Sequence, residues 1–179
     1  SNAVAALAVV DSLEIDPARC YSILSKFHGV GRRFEKIGEA RGIQVIDDYA
    51  HHPTEVKATL EAARLSGKRV LCLFQPHRYS RTAAFFDEFS SAFRHADRLY
   101  LHAVYPAGEE PLPGVNAAAL AERIRKKSGI PVAQNDDLAA LEAEITQEAR
   151  PGDLIITMGA GDITYAAGRI LNLLRQQAI

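Results

Sequence analysis

Two hydrophobic patterns alternate along most of this chain: short, nearly continuous apolar runs, and longer stretches in which apolar residues recur every three or four positions. The runs at 43–47, 69–74, 98–102, 131–133 and 153–157 predict strands, and the stretches at 54–66, 82–94, 116–128, 136–149 and 162–177 predict helices. Strand followed by helix, repeated, predicts an α/β fold with a mostly parallel, Rossmann-like sheet. Each crossover lays a helix on the sheet, so both faces are covered. Ahead of this pattern an Ala-rich helix spans 2–10 without a cap. Asp16 and Pro17 open a second helix that runs to about Phe27, Gly29 and Gly31 break the chain, and the alternation of Arg32 to Ile37 predicts a short, half-solvated strand. This divides a helical remnant, residues 1–36, from a main domain, residues 37–179. The uncapped start reads as a piece of a longer chain, with Ser1, Asn2 and Ala3 either native or a cleavage scar.

Composition narrows the function classes. With 179 residues and 47% hydrophobic content the chain is able to bury one good core. A net charge of −1 argues against a broad basic surface for nucleic acid. No apolar run reaches the roughly 20 residues of a membrane span and no secretory signal is visible, so no membrane association and a cytoplasmic location are expected. Cys20 and Cys72 are too isolated for a disulfide framework or a zinc site.

Parallel topology gives the polar residues a common address. Asp48, Gln75 to Arg81, His102 and Gly159 to Asp162 all follow strand carboxyl ends, where open α/β sheets bind ligands. In Asp47 to Pro53, strand alternation turns the two carboxylates to opposite faces and leaves Asp48 free to point over the rim, suited to ribose hydroxyls or a water-held metal, or else to tying down the turn. Adjacent His51 and His52 lack a third ligand for zinc; one suits substrate oxygens while the other holds the loop. In the second loop, Arg78 and Arg81 flank the start of a helix and suggest a small anion trap, unless they merely balance Asp87 and Glu88; His77 and Tyr79 lie beside them. In the third, Gly159 and Gly161 permit close backbone approach, Asp162 is expected to cap the last helix, and Met158 belongs to the core. The acidic pair Glu109 and Glu110 lies in an exposed loop, facing a partner domain or nothing. A P-loop is missing: the nearest fragment, Ser66-Gly67-Lys68, precedes a strand. No catalytic nucleophile and no metal ligand is assigned.

Taken together, Phe27 to Glu35, Asp47 to Glu55, Phe74 to Thr82 and Met158 to Ile163, with the first helix, resemble the Mur ligase family over nearly the whole chain. The resemblance implies the end of a central ATPase domain followed by a C-terminal domain, with the amino-terminal and central domains as missing partners in cis. It implies ATP and Mg2+ as cofactors, and UDP-N-acetylmuramate and L-alanine as substrates joined through an acyl phosphate. Under it, Asp48, Tyr49 and Arg33 hold the nucleotide, and His52, His77, Arg78 and Arg81 line the substrate face. The family's carbamylated, magnesium-binding lysine falls outside this chain. A related member adds a tripeptide instead of alanine; Asp48-Tyr49-Ala50 and Arg32 to Glu35 favour alanine. A third reading is a binding module that is not catalytic in isolation.

Overall fold

The computed structural model describes residues 2–13, 15–16, 20–21 and 30–177 and divides into two compact units, Ser1–Gly31 and Arg32–Ile179. In the first unit, helix α1 spans Asn2–Ser12, two residues beyond its predicted end. Most of the predicted second helix lies outside the described residues.

The second unit is built on a sheet which, among the described residues, has six strands: β1 (Glu35–Ala40), β2 (Ile43–Asp48), β3 (Val70–Phe74), β4 (Arg98–Leu101), β5 (Val132–Gln134) and β6 (Leu154–Met158), in the order β1-β2-β6-β3-β4-β5. Pairing from β2 onward is parallel, and β1 returns antiparallel on β2 through Arg41 and Gly42. Both turn residues have positive φ, 54° and 71°, the geometry of a two-residue hairpin whose twist matches its strands. The predicted strand at 32–37 is therefore shifted. Arg32 and Phe34 sit at φ 57° and 49°, so the sheet begins only at Glu35.

Helices follow the strands as predicted, with two differences. The chain continues through α2 (Pro53–Arg64), α3 (Tyr79–Ala84), α4 (Phe86–Ala92), α5 (Ala117–Ser128), α6 (Leu138–Glu148), a 3-10 turn (Asp162–Tyr165) and α7 (Ala166–Gln176). The helix expected at 82–94 is two, separated at Phe85, whose φ of −116° leaves the helical region. Asp162 does not cap the last helix; it lies inside the 3-10 turn, and no side chain caps that turn.

Strand alternation separates two cores. Ile46, Val70, Cys72, Phe74, Leu99, Ile156 and Met158 pack under α2, α4 and α5, whereas Val45, Leu71, Leu73, Tyr100 and Ile155 pack under α6 and α7. Gly38 of β1 makes room for α7, since a Cβ there would lie 2.6 Å from Leu171 Cδ2. Because β6 enters between β2 and β3, and its chain leaves toward the α7 face while theirs leave toward the other, a crevice opens at the carboxyl end of these strands.

Candidate functional site

Three loops meet at that crevice. After β2, Asp47 points down and Asp48 outward. Asp47 is almost fully buried: its Oδ2 accepts from Arg32 Nε at 2.6 Å and its Oδ1 from Thr157 Oγ1 at 2.6 Å. The same guanidinium donates to Gly159 O at 2.8 Å and Thr164 Oγ1 at 3.1 Å, so one side chain ties the entry segment to β2, β6 and the 3-10 turn. In the sequence Arg32 is marked by little more than its place after Gly31, and its neighbour Arg33 is the arginine expected at the site.

Asp48 is half-buried and, of the two readings open to it, takes the one in which it holds the turn. Its Oδ2 accepts Phe34 N at 2.7 Å, and its Oδ1 accepts Ala50 N at 2.7 Å and Thr59 Oγ1 at 3.3 Å. It ties down the turn and still lines a cleft of about 230 Å³ with Arg33, Tyr49, Ala50, Glu55, Ala58 and Thr59. The three residues expected to hold a nucleotide, Arg33, Asp48 and Tyr49, thus border one space. A carboxylate, a phenol ring and a guanidinium around such a cleft offer acceptors for hydroxyls, a flat apolar face and a cation for phosphate.

Both histidines of this loop shape it. His52 caps α2, its Nδ1 accepting Thr54 N at 3.3 Å, and its ring stands edge-on to Phe85 with centroids 4.5 Å apart. Glu55 completes the capping box by accepting the backbone N–H groups of His51 and His52, each at 3.1 Å. Burial pushes the Glu55 carboxyl upward, but those two N–H groups and the imidazoles outweigh it and hold it below the usual carboxylate range. His51 Nδ1 lies 2.9 Å from Tyr49 O.

From there rings cross the rim toward the second loop: Tyr49 to His51 at 5.1 Å, His51 to His77 at 6.1 Å, and His77 stacked on Tyr105 at 5.3 Å. Arg81 Nη1 is 3.3 Å from His77 Nδ1. A guanidinium only donates, so Nδ1 is the acceptor and the imidazole proton sits on Nε2. Burial first, then Arg81, His51 and Arg78, lower the His77 pKa and keep the ring neutral at pH 7; Glu109 opposes this weakly. Nor does Arg78 follow the alternative reading, in which the two arginines merely balance Asp87 and Glu88. It faces Glu109 at 3.5 Å, and Asp87 pairs with Arg123 instead. The expected anion trap at the helix start is filled from within, because Glu109 accepts Ser80 N at 2.9 Å and Ser80 Oγ at 2.7 Å. So Glu109 does have a partner in this chain.

In the third loop the glycines admit neighbouring chain. At Gly159, φ 143°, a Cβ would meet Gln75 O at 2.8 Å, and at Gly161 one would meet Tyr105 Cγ at 2.5 Å. Gln75, buried, accepts Ile163 N at 3.1 Å, and His102 Nδ1 lies 3.2 Å from Asn135 O. Cys72 is buried in the core, and burial drives its thiol pKa far up, which makes it inert.

Residues 32–161 match the Mur ligase, glutamate ligase domain, well over half of the chain. The chain belongs to the Mur ligase family. Over 178 residues the chain is 49% identical to a UDP-N-acetylmuramate–L-alanine ligase of Anaeromyxobacter dehalogenans, covering 98% of the chain and 38% of that protein. It is 44% identical to the corresponding ligase of Nitratidesulfovibrio vulgaris over 174 residues, covering 93% of the chain and again 38% of the relative. The crystal structure of UDP-N-acetylmuramate-alanine ligase from Thermotoga maritima superposes with a TM-score of 0.77 at 29% identity, covering 99% of the chain and 37% of the other. A murein peptide ligase from Psychrobacter arcticus gives 0.69 at 26% identity over 97% and 36%. The chain therefore spans little more than a third of the length of these relatives.

Proposed function

We propose that this domain is the C-terminal part of an ATP-dependent ligase that joins L-alanine to the lactyl carboxylate of UDP-N-acetylmuramate in peptidoglycan synthesis. The observation that carries the reading is the gathering of Arg33, Asp48 and Tyr49 around one cleft, joined by a row of rings to His77 and its neighbour Arg81, within a chain 49% identical to an alanine-adding ligase. The end of the central ATPase domain leads into the C-terminal domain across residues 31–37, and the complete enzyme works in the cytoplasm. Among the described residues no helix is long and apolar enough to cross a membrane.

In this reading the cleft receives the nucleoside end of ATP. Asp48 retains one lone pair, on Oδ2, for a ribose hydroxyl beyond its three existing donors, Tyr49 lies against the nucleoside, and Arg33 reaches phosphate. The lactyl carboxylate attacks the γ-phosphorus and ADP leaves, giving an acyl phosphate; the neutral amine of alanine attacks its carbonyl carbon, the nitrogen loses a proton, and phosphate leaves as the amide forms. Charge builds first on the phosphoryl and then on the carbonyl oxygen, so this domain contributes placement and cations and no nucleophile. His52, His77, Arg78 and Arg81 line the substrate face. Among the described residues no three His, Cys, Asp or Glu side chains are grouped to hold a metal ion; magnesium in this reading arrives with the phosphates of ATP.

A second reading, addition of a tripeptide, draws support from the murein peptide ligase likeness at 26% identity. Competing L-alanine against the tripeptide in the complete enzyme separates the two: alanine is expected to be preferred, and preference for the tripeptide overturns the first reading. The isolated chain, lacking a P-loop, is expected to release no phosphate with ATP, magnesium and both substrates; release that depends on both substrates contradicts this.

A further inference from the structure

The loop after β4 carries a carboxylate to which the proposed reaction gives no task. Glu109 accepts both the backbone N–H and the hydroxyl of Ser80 and lies 3.5 Å from Arg78 Nη1. Ser80, ahead of the arginine, holds its carboxyl below the usual carboxylate range.

Around this contact two loops are stitched together. Arg78 sits at φ 73° and ψ 134°, a backbone conformation that a residue with a side chain rarely adopts. It is held there from both sides: its N–H donates to Tyr105 O at 2.8 Å, and its carbonyl accepts Thr82 N at 3.0 Å and Thr82 Oγ1 at 2.8 Å. Tyr105 N in turn donates to Pro76 O at 2.8 Å, and the Tyr105 ring stacks on His77.

The two arginines are thereby made unequal. Arg78 has its counter-charge in Glu109. Arg81 has no carboxylate within ion-pair distance among the described residues, and it reaches only neutral His77. An incoming carboxylate gains little from a guanidinium already matched, because it exchanges one partner for another. It gains a fork from Arg81, and the Nε2–H of His77 supplies a further donor beside it.

Resting on the ligase reading above, we propose that Glu109 is a positioning residue: it takes up Arg78 and the first turn of α3, and so leaves Arg81 and His77 as the pair that receives the carboxylate of the incoming amino acid. The test is steady-state kinetics of the complete ligase with Glu109→Ala, Glu109→Asp, Arg78→Lys and Arg81→Lys. Glu109→Ala raises KM for L-alanine about tenfold, the scale of one lost charge-assisted contact, and leaves KM for ATP within about twofold. Glu109→Asp recovers part of the loss. Arg81→Lys raises KM for alanine more than Arg78→Lys does, since lysine cannot fork. The proposal is overturned if Glu109→Ala lowers KM for alanine, which marks Glu109 as a competitor for the same cation. It is equally overturned if KM for ATP and alanine rise together, or if Arg78→Lys has the larger effect. The arginine pair decides alone should Glu109→Ala fail to fold. A wild-type enzyme without alanine-dependent phosphate release overturns the ligase reading itself, an outcome visible before any variant is compared.

Discussion

Charged residues crowd both ends of this sheet, yet they are arranged differently. At the amino end, Arg69 pairs with Glu148 and, at 3.4 Å, with Asp153; Arg98 pairs with Glu144 at 2.8 Å, and Tyr100 Oη donates to Glu148 Oε2 at 2.8 Å. Arg98 Nε lies 3.0 Å from Glu148 but out of line for a hydrogen bond. Side chains on or beside regular elements satisfy one another there, beneath the carboxyl end of α6, where cations are favoured. At the carboxyl end, carboxylates are spent largely on backbone N–H groups: Asp48 on Phe34 and Ala50, Glu55 on His51 and His52, Glu109 on Ser80. Backbone bonds fix loop shape, and among the described residues they leave Arg33 and Arg81 without the carboxylate partners that the amino-end arginines have. One end is closed electrostatically and the other is held open.

This contrast breaks most visibly at Arg32, the rim residue that behaves like the amino end. Arg32→Met strands the buried Asp47 and is expected to destabilise this chain by about 3 kcal/mol or more in urea unfolding, with Arg32→Met/Asp47→Asn recovering part of it. A loss no larger than that of an exposed pair would mean that Asp47 finds another partner.

Much of this organisation was legible in the sequence, because the strand period and the strand–helix alternation locate the strand ends, and with them Asp48, His77, Arg78, Arg81 and Gly159. What escaped depends on spatial neighbours. Glu109 meets Ser80 because β3 and β4 are adjacent and bring their loops together, a pairing across 29 positions that no local pattern encodes. Arg32 and Arg78 take positive-φ conformations that their residue type does not announce. The break at Phe85 hides inside a continuous helical pattern, and sequence order does not disclose that β6 lies between β2 and β3.

A smaller effect sharpens the comparison from the amino end. Glu148→Gln weakens its pairs with Arg69 and Arg98 and its bond from Tyr100, and is expected to cost this chain about 1 kcal/mol, the scale of one partly exposed charged contact. In the complete ligase it should leave KM for ATP and alanine unchanged; a specific rise in either would give the amino end a functional role.

The smallest effects are pH slopes of opposite sign. His77 has its folded pKa below the ordinary 6.5, so below that pH the unfolded chain binds a proton the folded one refuses, and stability falls as pH drops. Tyr100, through burial and then Glu148, has its pKa raised above the ordinary 10.0, so above pH 10 the unfolded chain loses a proton the folded one keeps, and stability falls as pH rises. His77→Gln should flatten the acid limb alone and Tyr100→Phe the alkaline limb alone in unfolding series; a variant that flattens the opposite limb would reverse the assignment.

The central claim is that the open end holds two separate subsites, a nucleotide cleft after β2 and an acceptor pair after β3. Measuring KM for ATP and for L-alanine in Asp48→Ala and Arg81→Lys forms of the complete ligase tests it most directly. The account predicts a crossed result: about a tenfold rise for ATP alone in the first variant, and for alanine alone in the second. Equal rises for both substrates in both variants would contradict it.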